Sequence, residues 1–147
     1  MPNPRSTANI AGHPIHPMLI PFPIAFFVGV FACDLVYWQT NIPAWADATL
    51  WLLGAGLVMA ALAAVMGVID VFCDQKIRQL STIWWHASAN VIVVLLELYN
   101  LFIRYQQGSA TIIPYGILLS LLAVLFLLFS GWKGGDLVFR GRVGVAD

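Results

Sequence analysis

Four stretches of this chain, Leu19–Trp38, Leu50–Val71, Ile83–Ile103 and Ile112–Trp132, are long and apolar enough to fill a bilayer core, which takes about 20 residues of helix. Lipid offers no partner to a backbone N–H or C=O, so runs of this length must be helical, and the alternating pattern of a membrane barrel is absent. Composition agrees: 61% of the residues are hydrophobic and 10% are charged, against about 25% charged in a soluble globular domain. These values exclude intrinsic disorder and a soluble enzyme built on one compact core. Seven Lys and Arg against seven Asp and Glu leave no basic excess to hold phosphates, which excludes a nucleic-acid binder. The expectation is an all-α integral membrane protein, an antiparallel four-helix transmembrane bundle with spans at about 19–38, 50–71, 83–103 and 112–132.

These spans account for most of a single membrane domain over residues 1–147, with a His/Pro-rich segment at 1–18 and a Gly/Arg-containing tail at 133–147. Short connections force antiparallel neighbours, which puts both termini on the same face. Trp38, Trp45, Trp51, Trp84, Trp85 and Trp132 lie near span ends, where an aromatic belt belongs. Arg5, Lys76, Arg78, Lys133, Arg140 and Arg142 fall on the terminal face and Arg104 on the other. The positive-inside rule then places the termini in the cytoplasm and the chain in a bacterial inner membrane. The region before the first span has one Arg and several Pro, a poor signal-peptide start, so that span is read as retained. Cys33 and Cys73 fall at opposite faces and are read as free thiols.

Polar residues inside membrane helices are costly and need a partner or a role. In the third span His86, Asn90, Val93, Glu97 and Asn100 follow spacings of four, three, four and three, which places them on one helical face. Such a stripe must face the bundle interior, as a hydrogen-bonded ladder between helices or as a cofactor site or proton path. In the second span Gly56, Ala60, Ala63, Gly67 and Asp70 form a small-residue stripe that permits close helix approach. Asp34, near the outer end of the first span, is expected to pair with a polar group of the third.

The N-terminal segment reads Gly12-His13-Pro14-Ile15-His16-Pro17, followed by Pro21-Phe22-Pro23. As polyproline II it would point His13 and His16 the same way, about 9 Å apart at 3.1 Å per residue. As a first helical turn it would let the pair chelate one ion, with Pro tolerated there. The pattern leaves both open. Topology then brings His13, His16, Asp70, His86 and Asp136 to one membrane face. Three imidazoles and two carboxylates at one end of a bundle form a ligand inventory.

The opening Ala11-Gly12-His13-Pro14-Ile15-His16-Pro17 with Phe22-Pro23 resembles that of a family of small four-helix bacterial membrane proteins, domain of unknown function 2231. The ending Gly131-Trp132-Lys133-Gly134-Gly135-Asp136-Leu137-Val138-Phe139, with Gly141 to Val145, is similar to the family's glycine-rich end. The resemblance covers essentially the whole chain. It implies a four-span architecture and no assigned activity. Relatives of this type occur joined to Rieske or c-type cytochrome modules, an association with redox work. The present chain has no Cys-x-x-Cys-His and no Rieske ligand set.

The leading functional expectation is a membrane electron-transfer protein binding b-type haem. His86 and either His13 or His16 would be its axial ligands. The small-residue stripe would make room for the macrocycle, and Asn90 or Asp70 would orient a ligand imidazole. A second expectation is a non-haem site in which His13, His16 and His86, with Asp70 or Asp136, hold Zn, Fe or Cu. A third is a non-catalytic accessory subunit of a larger membrane complex, its polar stripes serving as glue. Transport of protons or a small solute rests on Glu97 and Asp34. The partners expected are the lipid bilayer and a redox partner or larger complex, with oligomerisation open.

Overall fold

The computed structural model describes residues 3–145. The chain opens with a two-stranded hairpin, β1 (Asn9–Ile10) and β2 (His13–Pro14), in which Ile10 pairs with His13. Ala11 and Gly12 turn it with positive φ at both positions (51° and 82°), as a two-residue turn matched to strand twist requires. A short helix α1 (Ile15–Leu19) leads into α2 (Pro21–Thr40). The N-terminal motif therefore adopts neither conformation as a whole: His13 lies in a strand and His16 in a helical turn.

Proline at the first helical turn starts both α2 and α3 (Pro43–Cys73), where its missing N–H costs nothing. Asn41 closes α2 in the left-handed conformation at φ 54°, which shortens the connection to Asn41 and Ile42. Helix α3 thus begins seven residues before the expected Leu50. Asp74 caps the short α4 (Gln75–Arg78) by accepting the Lys76 N–H at 2.8 Å. Helix α5 (Ser81–Gln107) ends at Gly108, whose φ is 71°. A tight turn over Gly108–Thr111 and a wide one over Ile112–Gly116 follow, then α6 (Ile117–Phe139). Helix α6 continues seven residues past Trp132. Lys133 and Arg140 flank Asp136 at helical spacing there, at 3.7 and 3.3 Å.

Three continuous helical stretches are long and apolar enough to cross a membrane: Ile15–Thr40, Pro43–Cys73 and Ser81–Phe139. The last has 59 residues and breaks at Ile113 (φ −112°, ψ 119°). Its arms run antiparallel: His86 near the start of α5 meets Ser130 late in α6, and Arg104 near the end of α5 lies beside Gly116. The four long helices form an antiparallel bundle. Its terminal end is tied by Gly144 N–H to the Pro4 carbonyl at 2.9 Å, so both chain ends share one face.

The bundle is layered in the same order on every helix. At the terminal end, His16 lies against Ala63 and Gly67 of α3, and His86 against Ser130 of α6. In the middle, Phe27, Val93 and Ala123 pack together, with Leu57, Leu96 and Phe126 around them. At the far end, Asp34, Thr49, Arg104 and Ser120 meet. Trp85, Tyr105 and Tyr115 are exposed near helix ends, where an interfacial belt places them, whereas Trp51 and Trp132, also exposed, lie about two turns inside α3 and α6. Cys33 and Cys73 are free.

The middle layer depends on a missing side chain. A Cβ at Gly56 would lie 2.5 Å from Phe27 Cε1, whereas one at Gly54 would meet nothing within 4 Å. Gly56→Ala should therefore destabilise the bundle by about 1–3 kcal/mol, the usual overpacking cost. Gly54→Ala should leave stability unchanged or raise it by up to about 1 kcal/mol through helix propensity. Thermal unfolding of both variants in one detergent checks the contrast.

Candidate functional site

Two of the three histidines come together. His16 from α1 and His86 from α5 stand with ring centroids 6.1 Å apart and planes at 85°. Each is held from behind by a main-chain carbonyl. His16 Nδ1 lies 2.7 Å from the Ala63 oxygen, and His86 Nδ1 lies 2.9 Å from the Ser130 oxygen. A carbonyl only accepts, so each ring donates from Nδ1, and in its neutral form each carries the lone pair on Nε2. Glycines seat both rings. A Cβ at Gly67 would be 3.1 Å from His16 Nδ1, and one at Gly134 would be 3.3 Å from His86 Cε1. Asn90, one turn beyond His86, donates its amide to His86 Nε2 at 3.1 Å and to the His86 carbonyl at 3.0 Å. Asn90 thus contacts the His86 ring, at the nitrogen a metal would use.

The other expected ligands are occupied elsewhere. His13 sits on the exposed hairpin with Nδ1 3.1 Å from the Ala11 carbonyl. Asp70 is buried and receives the N-terminal segment. Ser6 Oγ donates to it at 2.9 Å, Thr7 Oγ1 at 3.3 Å and the Ala8 N–H at 2.8 Å. Asp136 pairs with Lys133 and Arg140. Among the described residues, no group of three or more His, Cys, Asp or Glu stands close enough to hold an ion. The small-residue stripe of α3 is filled by protein: Phe27 covers Gly56 and His16 covers Gly67. It packs helices and leaves no slot at these two positions.

The far end holds a second polar site. Arg104 grips Asp34 through both nitrogens, Nη1 to Oδ1 at 2.7 Å and Nη2 to Oδ2 at 2.8 Å. Its Nη1 also donates to Thr49 Oγ1 at 2.7 Å, and its Nε to Asn100 Oδ1 at 2.8 Å. Ser120 Oγ donates to Asp34 Oδ2 at 2.8 Å. Asn100 Nδ2 donates to Glu97 Oε2 at 3.0 Å. Arg104 is 2% exposed and the other members 0%. Room for the guanidinium comes from Gly116, where a Cβ would lie 2.7 Å from Nη2.

Arg104 was expected as a charge on the far face. It is instead the partner that Asp34 required. The signal was present: the spacings from His86 to Asn100 continue by four to reach Arg104, so the stripe has a sixth member. Thr49 and Ser120 gave no such signal, because a lone hydroxyl in an apolar helix ordinarily bonds its own backbone.

A family model described as "Predicted membrane protein (DUF2231)" matches residues 12–147. No curated protein and no solved structure matches the chain.

The far-end network makes a sharp expectation. Asp34→Ala leaves a buried guanidinium without its carboxylate and should cost about 3–5 kcal/mol. Replacing Asp34 and Arg104 together by Leu should cost less than the Asp34 change alone. Thermal unfolding of the single and double variants in detergent, read as a double-mutant cycle, measures that coupling.

Proposed function

The chain belongs to this family of predicted membrane proteins, and we propose that it is a membrane electron-transfer protein whose His16 and His86 hold a b-type haem. The observation that carries this reading is the paired imidazoles. They come from separate elements, each with Nδ1 on a carbonyl and a glycine behind it. An Nδ1–H to carbonyl bond is how proteins fix the tautomer and orientation of a metal-binding histidine. The ring centroids of His16 and His86 are 6.1 Å apart, with planes at 85°.

The donor count favours haem over a bare ion. A bare ion asks for three or four protein ligands. His13, Asp70 and Asp136 do not join the pair, which weakens the Zn, Fe or Cu reading. Haem iron, already held by its macrocycle, needs two axial ligands at most. When bound, haem supplies one-electron transfer. The chain's own residues do the rest. Ala63 and Ser130 hold the rings through their carbonyls, Gly67 and Gly134 leave the rings space, and Asn90, which bonds His86 Nε2, would have to release it for a metal to bind there.

The redox partner would approach from the terminal face. Six of the seven Lys and Arg lie there, and the seventh, Arg104, is buried. That asymmetry supports cytoplasmic termini in a bacterial inner membrane.

Protein purified in mild detergent from haem-replete cells should show a Soret peak and sharp reduced bands after dithionite. His16→Ala and His86→Ala should each abolish the spectrum, and His13→Ala should retain it. A blank spectrum in the unaltered protein would sink the haem reading. Metal analysis of the same sample then separates a bare ion from an accessory subunit with no centre.

A further inference from the structure

The far-end network carries more acid than base. Asp34 from α2 and Glu97 from α5 are both fully buried, and Arg104 from α5 is the cation in the network. Helices α3 and α6 contribute the Thr49 and Ser120 hydroxyls, and Asn100 of α5 contributes an amide. Asp34 takes the guanidinium face-on, with both oxygens bonded. Glu97 reaches Arg104 through Asn100, which accepts from Arg104 Nε and donates to Glu97 Oε2. The other Glu97 oxygen, Oε1, has no hydrogen-bond partner and is the one buried side-chain polar atom left unsatisfied among the described residues.

Two carboxylates against one guanidinium would leave a full negative charge inside the bundle. A buried carboxylate without a counter-ion takes a proton instead. Asp34 keeps its charge because the guanidinium faces it, so the neutral acid is Glu97. Its Oε2 is engaged by an N–H donor, so the proton goes to Oε1. From this we infer that Glu97 is a membrane-embedded proton-binding site that takes up one proton from water on Oε1 and returns it. Asp34 remains ionised against Arg104 in both states. Toward the far end Glu97 is followed by Asn100 and Arg104 of the polar network. On the other side Phe27, Val93 and Ala123 separate Glu97 from the histidine pair. The inference uses none of the histidines and stands whether or not the protein carries haem.

Infrared spectroscopy of the purified protein in lipid tests it. At neutral pH the spectrum should contain the carbonyl stretch of a protonated carboxylic acid. Glu97→Gln should remove that band completely, and exchange into heavy water should shift it. Gln keeps the carbonyl that accepts from Asn100, so this variant should unfold at the temperature of the unaltered protein. A spectrum identical in the two proteins overturns the inference, because Glu97 is then ionised. A band that heavy water never shifts also overturns it, because the site is then sealed. A measurement on the unaltered chain guards against a variant that fails to fold. An apolar carbodiimide, which reacts with protonated acids, should leave its adduct on Glu97 by mass spectrometry. Adducts confined to other carboxylates count against the site.

Discussion

Arg104 is buried in an apolar bundle only because Asp34 faces it with both oxygens. An unpaired charge at membrane depth is costly, by roughly 3 kcal/mol or more on insertion scales. The pair removes that cost only where the remaining donors and acceptors are also met. The structure meets them with one group from each long helix: Asp34 from α2, Thr49 from α3, Asn100 from α5 and Ser120 from α6. The requirement to satisfy this ion pair, with Ser120 bonding Asp34 and the others bonding Arg104, therefore sets the register of four helices at once. Hydrophobic burial alone would not do this, since lipid is as apolar as the side chains it replaces.

The other layers follow from that register. With Asp34 and Arg104 level, Phe27 falls two turns toward the terminal face and meets Val93 and Ala123. Its ring needs the space that Gly56 leaves on α3. Two further turns bring His86 beside Ser130, and α1, which continues the helical line of α2, lays His16 against Ala63. The N-terminal segment is not free to choose that position. Asp70, at the end of the same α3 stripe, holds Ser6, Thr7 and Ala8 by direct hydrogen bonds. Asp70 thus acts on the site through the backbone that carries His16.

Much of this was legible in the residues. Helix number, antiparallel order, the shared face of the termini and the inward stripe of α5 all follow from apolar run length and helical spacing. The meeting of His86 with an N-terminal histidine was legible from topology. Which histidine was not, because residues 13–16 divide between a strand and a helical turn at Pro14, and that division depends on Asp70 and the Ala11-Gly12 turn. The helix ends also moved. Counting apolar residues cannot see that Asn41 closes α2 in two residues, or that Asp136 carries α6 to Phe139 by pairing along its own helix. Arg104 stands at the end of the bundle opposite the termini, as expected, but its burial was not read, although the helical spacing of the stripe already reached it.

The layered order also constrains how the two ends can influence each other. His86 and Glu97 lie eleven residues apart on one helix, about 16 Å at 1.5 Å per residue. Val93 stands between them and offers no polar side-chain atom, so no side-chain hydrogen-bond chain along the α5 stripe joins the ends. What crosses the apolar layer is the field. A unit charge gained at the histidine end acts on a charge at Glu97 with about 1 kcal/mol at an effective dielectric of about 20. That changes an equilibrium constant by about fivefold. An electron held at one end would thus favour a proton at the other without any atom moving between them, and the effect would need the apolar layer to stay dry. Water admitted beside Phe27 would weaken the field and open a direct proton route together. The tight seating of Phe27 on Gly56 would therefore bear on any such coupling as well as on stability.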